Sequence, residues 1–71
     1  MSGEVPMWVV IHMAKSGDAA ETVRACLAQE GVLVRVHPVY RSVSSQENYF
    51  EIQVLQSEVQ EARAILLECG L

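Results

Sequence analysis

Apolar periodicity along this chain changes from two residues to about 3.6 and back, and the order of those changes leaves few folds open. The run Met7-Trp-Val-Val-Ile-His-Met13 is β-branched or aromatic at both parities, the pattern of a strand covered on two faces. Ser16 and Asp18 then offer N-cap side chains, with Glu21 adding acid to a first helical turn. Ala20, Val23, Cys26 and Leu27 recur at three- and four-residue spacing up to Gly31, a residue that ends helices by taking the left-handed conformation.

Alternation returns in Val32, Val34, Val36, Pro38 and Tyr40 on one parity and Leu33, Arg35, His37 and Val39 on the other. Pro38 cannot donate to a ladder, so this strand belongs at a sheet edge or ends there. The polar stretch 41–48 is long for a hairpin connection. Phe50, Ile52 and Val54 alternate with Tyr49, Glu51, Gln53 and Leu55 in a third strand. Ser57-Glu-Val-Gln60 reads as a capping box opening a second helix. The inner stripe of that helix is expected at Val59, Ala62, Leu66 and Cys69, widened by Ile65 and stopped by Gly70.

The expected domain is therefore β-α-β-β-α over residues 7–71, with residues 1–6 a disordered leader. A crossover helix makes the first two strands parallel, and a hairpin makes the third antiparallel to the second. Placing the third strand between the others gives an α+β, ferredoxin-like sheet of order 1-3-2 with both helices on one face. No fourth strand is left to cover the first, so its apolar edge invites a second copy. Two copies are expected to associate through that edge, the helix-free face, or both. Taking the more polar parities as outward, the interaction surface comprises Trp8, Val10, His12, Arg35, His37, Tyr49 and Glu51, flanked by Leu33, Gln53 and Leu55.

Size and charge narrow the function further. A chain of 71 residues holds one core and no separate catalytic domain. A net charge of −4 repels phosphate backbones, which argues against nucleic acid. The longest uninterrupted apolar run, Met7–Ile11, is far short of a bilayer span, and no basic n-region precedes it, so a cytoplasmic location is the default. Cys26 and Cys69 lie 43 residues apart without CxxC spacing, which points to two reduced thiols on inner helix stripes rather than a disulfide or zinc site.

The order of a helix ending in Glu30-Gly31, the strand Val32-Leu-Val-Arg-Val36, a polar loop, Tyr49-Phe-Glu-Ile-Gln-Val54 and Glu61-Ala-Arg-Ala-Ile-Leu66 resembles a small bacterial family. These are the domains named signal-transducing proteins, whose fold is similar to the nitrogen-regulatory PII proteins. The resemblance covers about residues 7–69 and implies a ferredoxin-like fold and a signalling role, with no family catalytic residue to carry over. PII proteins bind nucleotide and use a long loop between their second and third strands to touch partners. The 41–48 loop here is far shorter and has no glycine-rich phosphate cradle, so nucleotide binding does not carry over.

No residue pattern announces chemistry. His12, His37 and Glu51 offer imidazole and carboxylate ligands only if the sheet gathers them, and no local spacing supports a metal. Lys15 stands in a turn too short for a phosphate-binding loop. Trp8 with Tyr49 or Phe50 is similar to the stacking platform of RNA-recognition folds, but the basic-led aromatic box and the charge are wrong. Ser42, Ser44 and Ser45 beside Arg41 are serine-rich loop residues open to phosphorylation. The expectation is a non-enzymatic regulatory or protein-interaction module acting as a homodimer, without catalytic residues, metal or cofactor. Its rival is a sensor holding an amino acid or nucleotide between subunits near His12, Arg35 and Glu51.

Overall fold

Five elements and one short turn follow in the order strand, helix, strand, strand, helix: β1 Trp8–Ala14, α1 Gly17–Gln29, β2 Val34–Pro38, β3 Phe50–Leu55, a 3-10 turn Gln56–Glu58 and α2 Val59–Glu68. They come from a computed structural model that describes residues 7–40 and 48–71. The leader 1–6 and residues 41–47, with Arg41 and the three serines, lie outside the described residues. The sheet has the order β1-β3-β2, and β3 runs antiparallel to both neighbours. This is the α+β, ferredoxin-like arrangement that the periodicity implies.

Each end of α1 is set by a local device. Ser16 is extended, and its Oγ accepts the Ala19 N–H at 3.1 Å, satisfying one of the donors a helix start leaves over. At the other end Gly31 takes φ +85°, Val32 N–H donates to Leu27 O and Gly31 N–H to Ala28 O, the paired bonds of a Schellman cap. The same pair recurs at Gly70, with Leu71 N–H on Leu66 O and Gly70 N–H on Leu67 O. The entry to α2 differs from expectation. Residues 56–58 form the 3-10 turn, Glu58 is the N-cap, and no side-chain cap bond forms, so the Ser57–Gln60 capping box is absent. Tightening of the chain into i+3 bonds moves Ser57 out of the cap position.

Both helices pack on one sheet face over a single core. Leu27 and Val23 of α1 and Ile52 and Val54 of β3 are fully buried, joined by Ala20, Cys26, Val32, Ala62, Ile65 and Leu66. Withdrawing a Leu, Ile or Val from water stabilises by about 1.5–3 kcal/mol each, so this small group dominates the favourable side of folding. Of the two helices, only α1 makes extensive contact with β2 among the described residues. The helix side of β2 consequently runs out of cover, and Val36 and Tyr40 are exposed although their parity matches buried Val32.

The cysteines are the main correction. Cys26 and Cys69 form a disulfide across a Cα–Cα distance of 6.7 Å, against the expectation of two reduced thiols. Sequence spacing hides the pairing because α1 and α2 lie side by side, which brings residues 43 apart into contact. Cys69 also leaves the expected inner stripe: it is the C-cap of α2 and is exposed, while Cys26 is buried. Disulfides persist chiefly in oxidising compartments, so the bond lends no support to the cytoplasmic default, which rested on the absence of a long apolar run and a basic n-region.

Candidate interaction surface

The helix-free face of the sheet is assembled by register. Trp8 stands opposite Leu55 and Val10 opposite Gln53 on the β1 side, while Arg35 pairs with Gln53 and His37 with Glu51 on the β2 side. Because opposite residues share a face, these side chains form one continuous surface, continued by Tyr49 at the start of β3. Val10 is 42% exposed and Tyr49 45%. Two contacts order its middle. The Arg35 guanidinium lies 5.0 Å from the Trp8 ring centroid, reaching across β3 from one edge strand to the other, and Gln53 Nε2 donates to Glu51 Oε1 at 3.0 Å.

His12 is not on this face. A bulge between Val10 and His12 inserts one extra residue in β1, so His12 stands opposite Ile52, whose side chain is buried under the helices. Strict alternation would have kept His12 with Trp8 and Val10; the bulge reverses the parity of everything after it. Met13, opposite Glu51 and 47% exposed, takes its place. His12 and His37 are thus on opposite sides of the sheet, and the arrangement of His12, Arg35 and Glu51 around one ligand is not formed. Among the described residues no three His, Cys, Asp or Glu side chains are grouped to hold a metal ion.

His12 instead lines a groove of about 330 Å³ between β1 and α2, with Ile11, Arg63, Leu66, Leu67 and Leu71. A second groove, of about 580 Å³, runs between α1 and the end of α2; Glu21, Thr22, Ala25, Gln29, Leu71 and both cysteines form its walls. Leu71 borders both. On the lip of the second groove Glu21 is held by Arg24, which donates through Nε at 2.9 Å and through a second nitrogen. That hydrogen bond holds the Glu21 carboxyl below its ordinary pKa and the Arg24 guanidinium above its own. Among the described residues no helix is long and apolar enough to cross a membrane.

Asn48 closes the connection between β2 and β3 and was not singled out by the sequence. It is 2% exposed; its Oδ1 accepts the Tyr40 N–H at 3.0 Å and its Nδ2 donates to Tyr40 O. With Val39 N–H on Tyr49 O at 2.9 Å, the side chain adds a rung beyond the backbone ladder. The only sequence signal was an asparagine at the loop's end, a residue type suited to turn bonds. Comparison with known protein families, with curated proteins and with solved structures finds no match.

Proposed function

We propose that the domain is a non-enzymatic regulatory or protein-interaction module that works as a homodimer through its helix-free sheet face. The observation that carries this is an apolar surface: Val10, Met13 and Tyr49 are exposed and Trp8 and Leu55 half-buried around the Arg35–Trp8 contact. Arg35 and Glu51 give the face both signs of charge, which suits a two-fold copy of itself better than a nucleic acid. The bulge in β1 favours the face over the edge, because an interrupted ladder is a poor template for another strand. In this role the signalling function implied by the family resemblance rests on partner exchange at the face, without nucleotide.

Light scattering after size exclusion at micromolar concentration is the test. A dimer is expected, and Val10→Lys or Met13→Lys should return it to monomers with unchanged far-UV circular dichroism. A strict monomer in the unmodified chain refutes the reading.

One observation favours the sensor reading in a changed form. His12 and Arg63 border the same apolar groove, away from the sheet face, so a small carboxylate with an apolar tail is the ligand chemistry it suits. A saturable rise in melting temperature with octanoate, lost in Arg63→Gln, supports it, and no rise removes it. A cytoplasmic setting would keep Cys26 and Cys69 as thiols, an oxidising one as the bond.

A further inference from the structure

The two cysteines of the disulfide differ in exposure. Cys26 lies on the core side of α1, 9% exposed, with Sγ 3.9 Å from Ile65 O. Cys69 is exposed at the C-cap of α2, and both sulfur-bearing residues border the groove between α1 and the chain's last turn. Thiol–disulfide exchange needs a thiolate to reach one sulfur while the other departs. The groove admits a small molecule, and Arg24 partly neutralises the carboxylate of Glu21 on its lip, which lessens repulsion of an incoming anion.

We propose that the Cys26–Cys69 bond is a thiol-exchange site, opened by a small dithiol that enters this groove and attacks Cys69 Sγ, and that opening it releases the end of α2 from α1. The dithiol's first thiolate forms a bond to Cys69 Sγ, and the Cys26–Cys69 bond breaks with its electron pair leaving on Cys26. The dithiol's second thiolate then attacks the sulfur bound to Cys69, closing a cyclic disulfide and expelling Cys69 as thiolate. The two protons given up by the dithiol end on the two cysteines, so the protein gains two electrons and the dithiol loses two.

The consequence follows from what else holds the last turn. Ile65 and Leu66 are buried, but Leu67, Glu68, Cys69, Gly70 and Leu71 are exposed, with Leu67 at 77%. Past Leu66 the chain is held by the last helical bonds, among them Cys69 N–H on Ile65 O, by the Schellman bonds and by the disulfide. Without the covalent tie the turn is free to fray, and because Leu71 borders both grooves, fraying also opens the one holding His12 and Arg63. The inference stands independently of self-association.

The experiment uses the oxidised chain with dithiothreitol under native conditions, quenched by alkylation and read by intact mass and peptide mapping. Complete reduction within minutes at millimolar reagent without denaturant is expected. A brief exposure to limiting 2-mercaptoethanol should trap the mixed disulfide on Cys69, with Cys26 alkylated. Hydrogen exchange at residues 67–71 should then rise at least tenfold in the reduced chain and stay faster than at Ile52 and Val54, whose own protection falls only with the global stability. Reduction that requires urea, or an adduct on Cys26, overturns the site. Prompt reduction with unchanged exchange at the last turn overturns the release. Both readouts use the unmutated chain.

Discussion

Breaking the Cys26–Cys69 bond should cost this domain a large share of its stability, and the size follows from the loop it closes. Joining residues 43 apart removes chain entropy from the unfolded state worth about 4 kcal/mol by the loop-closure relation. A chain of 71 residues has a total stability of about 4–11 kcal/mol at typical values per residue. Little native packing is lost on reduction, since Cys69 is exposed and the Cys26 thiol keeps its place beside Ile65 O. The effect therefore resides in the unfolded chain, which without the bond is freer and exposes more surface. Urea unfolding followed by far-UV circular dichroism, with and without reductant, measures it. At a slope of about 1 kcal/mol/M the midpoint should fall by about 4 M on reduction, with a slightly steeper slope in the reduced chain. Cys26→Ala with Cys69→Ser should match the reduced protein to within about 1 kcal/mol. Midpoints that agree within about 0.3 M in the two redox states would refute the reasoning, because no closed loop of that length can leave the unfolded state unconstrained.

Three further perturbations test separate parts of the fold. Asn48→Ala strips both peptide groups of Tyr40 of their partner and should destabilise by about 1–3 kcal/mol in the same urea assay. Ser16→Ala should cost about 1 kcal/mol whereas Ser57→Ala stays within about 0.5 kcal/mol, since only Ser16 caps a helix; equal losses would reinstate the capping box. A double-mutant cycle of Trp8→Ala and Arg35→Ala should give a coupling of about 0.5–1 kcal/mol, and a coupling of zero would remove the cation–π contact.

Periodicity carried the fold a long way for physical reasons. Ala20, Val23, Cys26 and Leu27 are buried as their spacing implies, and Gly31 and Gly70 sit at positive φ where glycine lacks the Cβ that strains other residues. Two features were illegible because they depend on distance in space. The disulfide needed the side-by-side placement of α1 and α2, and the Asn48 rung needed Tyr40 brought beside it from across the connection. The failed capping box is a local miss: the motif was present, but the 3-10 turn started before it.

The bulge in β1 has the widest consequences, since one residue decides what the sheet can offer. With perfect alternation, His12, His37 and Glu51 would converge on one face and a ligand site there would be reasonable. The extra residue at Ile11 instead turns His12 toward Arg63 and brings Met13 beside Glu51. The face loses an imidazole and gains a flexible apolar side chain, which lowers its fitness for binding a polar ligand and raises it for packing against protein. The same insertion interrupts the β1–β3 ladder and bends the strand, discouraging pairing at the open edge of β1. A sequence change that removed Ile11 would separate these effects: His12 would stay opposite Ile52 and Met13 opposite Glu51, while the ladder became regular and its edge open to strand addition.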